Sequence, residues 1–158
     1  MSHERPDRAP LVDDATHRDL AIAAYQRCWE ILDSGGASDG HVELLTCAFA
    51  SRWHWRHCGG PREWAISDWM VSRAAATAGD GGLALVYARR AHDALDDTSP
   101  DWMRASAAEG MALAYRVAGP AGEYDHWVGV AARLVESIID DDDRELISAQ
   151  LAATRSAR

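Results

Sequence analysis

The feature that most constrains the fold of this chain is a series of short breaks between stretches of helical length. The breaks fall at Gly35-Gly36, Gly59-Gly60, Gly79 to Gly82, Ser99-Pro100 and Gly119 to Gly122. The stretches between them are rich in alanine and other apolar residues, and none shows the alternation of a strand. Because each break is only a few residues long, each helix must fold back antiparallel on the one before it. The sequence therefore predicts an all-α fold of stacked antiparallel helix hairpins.

The residues predict about seven helices. They run from about Asp14 to Asp33, from His41 to Cys58, from Pro61 to Ala78, from Gly82 to about Asp96, from Pro100 to Ala118, from Gly122 to Ile139 and from Asp143 to Ala153. A flexible N-terminal tail over residues 1–12 is expected before a helical-repeat domain over residues 13–155.

Several residues have the chemistry of helix caps. Ser38 or Asp39 is predicted to cap the second helix and Ser99 the fifth. Pro61 is expected at the first position of the third helix, where its missing N–H has no consequence. Asp140 to Asp143 would cap the seventh helix and place negative charge at its positive end.

The apolar spacing assigns an inward face to each helix. For the first helix this face is Leu20, Ala23, Ala24, Arg27 and Ile31, with Trp29 nearby. For the second it is Leu44, Cys47, Ala48, Ser51, Trp55 and Cys58.

Composition limits the classes of partner. Apolar residues make up 47% of the chain, which is too many for a disordered protein, and no apolar run is long enough to span a membrane. The net charge of −9 disfavours a nucleic acid as partner. Residues 1–10 lack the apolar segment of a secretory signal, so the three cysteines are expected as free thiols in the cytoplasm. No sequence motif indicates a cofactor.

A partial repeat is visible at an offset of about 40 residues. Ala78-Gly79 recurs as Ala118-Gly119, and Ala91 then corresponds to Ala131. A period of this length falls within the range of helix-hairpin repeats. The segment Ala78-Gly79-Asp80, with Ala84-Leu85, Tyr87-Ala88 and Ala91, resembles the central part of a tetratricopeptide repeat.

A wider resemblance covers residues 14–153. It is to an uncharacterised group of actinobacterial tetratricopeptide-like proteins, and it is carried by Ser51-Arg52-Trp53-His54-Trp55, Trp69, Ser72-Arg73, Ala84-Leu85, Tyr87-Ala88-Arg89, Ile139-Asp140 and Asp143-Arg144-Glu145. The chain departs from the standard repeat in its period and in having Ala75 where a large aromatic residue is usual. The resemblance implies a fold and brings no activity with it.

The densest group of functional side chains surrounds His54. The predicted ligand-binding residues are Trp53, His54, Trp55, Trp69 and Arg73, since aromatic walls beside an imidazole and a guanidinium suit a ligand. Arg73 could stack on Trp69 or pair with Asp68. His54 is also the candidate catalytic residue, although a histidine hydrogen-bonded within the structure is the competing interpretation.

A minor metal-binding role through His54 and Cys58 is a third hypothesis, and no residue is assigned as a metal ligand. His54 and Cys58 lie one helical turn apart, with Cys47 on the same face, but no further ligand has metal-binding spacing. The cysteines are better interpreted as small core residues.

The sequence thus predicts a protein- or ligand-binding module that uses its concave face to engage a protein segment or a small apolar or aromatic ligand. The alternative is a small all-α enzyme or small-molecule-binding protein with a Trp-lined pocket centred on His54. Whether the chain is an enzyme stays open, and so does a homodimer.

Overall fold

The computed structural model describes residues 12–35 and 40–156, which form seven helices and no strand. The helices are α1 (Asp14–Asp33), α2 (Gly40–Cys58), α3 (Pro61–Thr77), α4 (Gly81–Asp93), α5 (Asp101–Ala118), α6 (Ala121–Ser137) and α7 (Asp141–Ser156). The predicted all-α class is confirmed. The predicted tail at residues 1–12 lies outside the described residues except for Val12, as do Ser38 and Asp39.

Three antiparallel hairpins and a final helix make up the stack. α1 packs on α2, α3 on α4 and α5 on α6, and each hairpin also contacts the next. In addition α3 contacts α1 and α5, and α5 contacts α7, so the odd-numbered helices lie side by side as an inner layer. Within the described residues the backbones of the even-numbered helices stay apart, and these helices meet through side chains such as Phe49 with Tyr87 and His92 with Trp127, so they form an outer layer.

The turn inside each hairpin contains a glycine with a positive φ angle. Gly35 has φ 79°, Gly79 has φ 80° and Gly119 has φ 151°. Side chains with a Cβ atom rarely adopt this conformation, which is why the breaks in the sequence fall at glycine.

Carboxylates begin three of the helices. Asp13 accepts a hydrogen bond from the backbone N–H of Thr16 at 2.7 Å, and Asp80 accepts one from Leu83 at 2.9 Å. Asp140 accepts one from the N–H of Asp143 at 2.9 Å, so the predicted cap of α7 is confirmed. Each bond satisfies a backbone donor that a helix start would otherwise leave unpaired.

The start of α5 differs from its prediction. Pro100 is the N-cap residue, and its side chain cannot accept a hydrogen bond. The hydroxyl of Ser99 instead accepts a hydrogen bond from the backbone N–H of Asp96 at 3.1 Å. Ser99 therefore closes the turn before α5 and does not cap that helix. The preceding helix, α4, ends at Asp93, before its predicted end at Asp96. By contrast, Pro61 occupies the predicted first position of α3.

The inward face predicted for α1 is confirmed at Ile31 and is wrong at Leu20 and Arg27. Leu20 is 44% exposed and Arg27 is exposed, whereas the buried residues of this helix are His17, Ala21, Cys28 and Ile31. The buried face is thus rotated from the predicted one. For α2 the prediction is closer, since Leu44, Ala48 and Ser51 are buried and the remaining three are half-buried.

Small residues allow the hairpins to approach closely. Ala84, Ala88, Ala91 and Ala131 are almost completely buried at the helix contacts. Gly81 at the start of α4 comes so near to Ala118 that an added Cβ atom would lie 2.5 Å from the Ala118 Cα atom.

None of the helices in the described part of the chain combines the length and hydrophobicity needed to cross a bilayer.

Candidate functional site: a pocket in the inner layer

A cavity of about 520 Å³ opens on the inner layer of helices. Its walls come from α1, α3, α5 and α7, with the end of α4 closing one side, and we call it the inner-layer pocket. Its lining consists mainly of aromatic and aliphatic side chains: Tyr25, Trp29, Ala65, Ile66, Trp69, Ala91, Leu95, Trp102, Met103, Ala107, Leu146 and Ile147. Since the first and last helices of the layer line the same cavity, the layer curves around it and forms a concave face.

Trp69 is held rigidly in the wall of the pocket. Its indole N–H donates a hydrogen bond to the backbone carbonyl of Ser106 at 3.0 Å. Its ring centroid lies 5.9 Å from that of Trp29, with the two planes tilted by 40°. Gly110 leaves space for the indole, because a Cβ atom there would lie 2.9 Å from Trp69 Cδ1. The geometry of this wall is therefore fixed by α1, α3 and α5 together.

The side chain of Arg73 packs on the ring of Trp69. Its guanidinium lies 4.7 Å from the centroid of the Trp69 ring, as predicted for stacking. The predicted pairing with Asp68 is not formed. Arg73 instead pairs with Glu109 at 2.6 Å, and Asp68 pairs with Arg52 and Arg90.

Glu109 is the most deeply buried charged group in the described chain, with 0% of its surface exposed. One of its carboxylate oxygens accepts the Arg73 hydrogen bond and the other accepts one from the hydroxyl of Thr154. A buried carboxylate is tolerated only when its oxygens are paired in this way. The Arg73–Glu109–Thr154 contacts join α3, α5 and α7 next to the pocket.

The polar groups that line the pocket are acidic or neutral. They are Asp33 from α1, Ser106 from α5, and Asp143 and Gln150 from α7. In the part of the chain that the structure describes, no arginine lines the pocket. The side-chain oxygen of Gln150 is buried and has no hydrogen-bond partner within the described residues.

His54 lies away from this pocket, at the other end of the first hairpin. Its Nδ1 atom is 2.8 Å from Nδ1 of His17, and the His17 ring stacks on His57 with centroids 4.5 Å apart. Burial lowers the pKa of His54, and the nearby His17 and His57 lower it further. We call these three residues the histidine cluster.

The predicted tryptophans divide between two places. Trp53 is 55% exposed and lies against His17 and His57 of the histidine cluster. Trp55 joins α2 to α3, since its backbone carbonyl accepts a hydrogen bond from the indole of Trp64 at 3.0 Å. Of the five predicted ligand-binding residues, only Trp69 lines the pocket, and Arg73 supports it.

Sequence reasoning did not assign Tyr25, Trp29, Asp33, Trp102 and Asp143 to a site. For three of them a local signal exists, because Tyr25, Trp29 and Asp33 are spaced four residues apart and must share one face of α1. Trp102 and Asp143 come from distant helices, and no local spacing connects them.

Among the described residues, no histidine or cysteine lines the pocket, so Ser106 has no imidazole beside it that could activate its hydroxyl. Within the described residues no group of three or more histidine, cysteine, aspartate or glutamate side chains could hold a metal ion. All three cysteines are free thiols.

No protein-family model, no curated protein and no solved structure matches this chain. Its function must therefore be inferred from the shape and chemistry of the pocket.

Proposed function

We propose that this protein is a binding module of the tetratricopeptide-like kind that holds a small apolar or aromatic ligand in the inner-layer pocket. The observation that supports this proposal most directly is a cavity of about 520 Å³ whose lining includes three tryptophans and one tyrosine. This volume lies in the range of small-molecule sites, which are mostly apolar with a few polar groups. The ligand would enter through the concave face.

The rigidity of the walls supports the same proposal. A pocket that is already formed loses little conformational freedom when a ligand enters. Trp69 is fixed by its bond to Ser106 and by stacking of Arg73, and the latter is fixed by Glu109. The wall thus has its binding shape before any ligand arrives.

A repeat architecture fits this use of the concave face. The glycine turns at Gly79 and Gly119 and the buried alanines Ala91 and Ala131 are each separated by 40 residues. Stacked hairpins of similar shape produce curved layers, and such layers offer extended concave surfaces for binding.

A titration with 4-phenylbutan-1-ol tests the proposal. This neutral probe carries an aromatic ring on a short chain and does not absorb where tryptophan is excited. At about 0.3 kcal/mol for each of its roughly eleven heavy atoms, it should bind in the millimolar range. We expect saturable changes in tryptophan fluorescence.

Two serine substitutions provide the comparison. Ser106→Phe places a ring inside the pocket and should weaken probe binding about tenfold or more. Ser148→Phe adds the same ring at an exposed position of α7 outside the pocket and should leave binding unchanged. Equal binding by wild type and Ser106→Phe would mean that the probe binds elsewhere, and the proposal would fail.

A further inference from the structure

We infer that the ligand of the inner-layer pocket is a cation, an amine or quaternary ammonium group attached to an apolar body. This inference rests on the proposed binding function and adds the charge of the ligand to it. It follows from three properties of the pocket: carboxylates without an ion-pair partner among the described residues, the negative carboxyl end of α1 beside one of them, and aromatic walls.

Two carboxylates of the pocket have no cationic partner. Asp33 and Asp143 lie on opposite helices of the inner layer, and neither forms an ion pair within the described part of the chain. The arginine next to Asp143 does not compensate for it, because Arg144 pairs with Asp141. Asp33 is exposed to solvent and Asp143 lies in the first turn of α7, so neither requires a partner, and the charge of each is available to a ligand cation.

The neighbouring arginines are engaged with other groups. Arg73 pairs with Glu109, which leaves no net charge from that contact. Arg62 lies over the ring of Trp102, 5.6 Å from its centroid, on the exposed surface of α3. Asp33 and Asp143 are the charged side chains that line the pocket, whereas Arg62 is a solvent-exposed cation on the wall residue Trp102. Solvent screens Arg62, and the net charge of the chain is −9, so we expect the potential inside the pocket to be negative.

The position of Asp33 strengthens this negative potential. Asp33 is the last residue of α1, and the last turn of this helix contains no basic residue. The carboxyl end of a helix carries a partial negative charge, which normally attracts a cation. A carboxylate there makes the potential more negative, and a bound cation would be stabilised by both.

The aromatic walls of the pocket also favour a cation, because the face of an aromatic ring attracts positive charge. Trp29, Trp69 and Trp102 all line the pocket. Arginine side chains already pack on Trp69 and Trp102, so Trp29 is the pocket tryptophan over which no arginine lies within the described residues.

Three probes of the same shape separate charge from hydrophobic burial. They are 4-phenylbutan-1-amine, 4-phenylbutan-1-ol and 4-phenylbutanoate, which at neutral pH are a cation, a neutral molecule and an anion. We expect the amine to bind about tenfold more tightly than the alcohol at low ionic strength, and the carboxylate to bind most weakly. Added salt should weaken binding of the amine and leave that of the alcohol almost unchanged.

The outcomes are distinguishable. If the amine and the alcohol bind equally, and Ser106→Phe weakens both, the inference about charge is overturned while the proposed function stands. If no probe binds better to the wild type than to Ser106→Phe, the proposed function itself fails.

Paired substitutions locate the origin of the charge preference. The double variant Asp33→Asn, Asp143→Asn should lose the preference for the amine and keep its affinity for the alcohol. The double variant Asp19→Asn, Asp142→Asn changes the net charge equally at exposed positions of the same two helices outside the pocket. It should retain most of the preference. Equal loss in both double variants would assign the preference to the overall charge and contradict a site between Asp33 and Asp143.

Discussion

Nδ1 of His17 lies 2.8 Å from Nδ1 of His54, across the contact between α1 and α2. A hydrogen bond at this distance needs one nitrogen with a proton and one without, so at least one of the two rings is neutral in the folded protein. His17 is 6% exposed and His54 is half-buried. This pair joins the two helices of the first hairpin and should respond to pH.

Stability should fall as the pH falls below neutrality. Burial, with His17 and His57 nearby, lowers the pKa of His54 from its ordinary value of 6.5. As the pH drops through that value, the unfolded chain gains a proton that the folded protein does not, so the free energy of unfolding decreases until the folded pKa is reached. Urea unfolding between about pH 7.5 and pH 5 measures this slope.

Two variants test whether the histidine cluster causes this dependence of the free energy of unfolding on pH. His54→Gln removes the titrating ring and should make the dependence on pH shallower. His126→Gln removes an exposed histidine outside the cluster and is the matched control with which the slope of His54→Gln is compared. A His54→Gln protein with the wild-type slope would show that His54 contributes nothing to it.

Glu109→Gln should be strongly destabilising. The substitution keeps the shape of the side chain and removes its charge, so Arg73 is left as a poorly exposed cation without a partner. Loss of one member of a buried ion pair costs about 3 to 5 kcal/mol. Glu43→Gln is the control, because Glu43 pairs with Arg27 on the surface and should change the free energy of unfolding far less. Similar effects of the two substitutions would argue against the role given to Glu109.

The helix boundaries were largely predictable because they depend on local chemistry. Gly79 and Gly119 end helices with positive φ angles, and Pro61 begins one at its first position. These requirements act within a few residues, and the sequence displays them directly. The turn before α5 was harder to predict, since Ser99 can either cap a helix or bond to Asp96, and the surrounding chain decides between them.

The buried face of α1 could not be inferred from hydrophobicity alone. Leu20 is apolar but exposed, while the polar His17 is buried because His54 on another helix satisfies it. The pocket depends on still longer-range geometry. Tyr25 and Gln150 line the same cavity although most of the chain separates them, and only the curvature of the inner layer brings them together.

Ala84→Leu should destabilise the protein by about 1 to 3 kcal/mol. Ala84 is 0% exposed and packs in the same cluster as Ala75 and Ala76 of α3, so three added carbon atoms have no space there. Ala149→Leu makes the same change at an exposed position of α7 and should have little effect. Chemical unfolding measures both. An Ala84→Leu variant as stable as the wild type would mean that the contact between α3 and α4 is looser than described.

The three cysteines should react with a thiol reagent at different rates. Burial raises the pKa of Cys28 to about 12, so its reactive thiolate is scarce, and the side chain is also inaccessible. Cys47 and Cys58 are half-buried, and burial raises their pKa values as well. We expect both to react faster than Cys28 but more slowly than in denaturant. Mass spectrometry of peptides labelled over time measures each rate, and labelling of Cys28 as fast as Cys47 would contradict its burial.

The indole N–H signals of the seven tryptophans offer the most direct test of binding in the inner-layer pocket. Two-dimensional ¹H–¹⁵N spectra recorded during a titration with 4-phenylbutan-1-amine follow each indole separately once the signals are assigned. The signals of Trp29, Trp69 and Trp102 should shift together and saturate, while those of Trp53, Trp55, Trp64 and Trp127 should stay in place. Shifts confined to Trp53 and Trp55, with the three pocket signals unchanged, would place binding near the histidine cluster and contradict the proposed site.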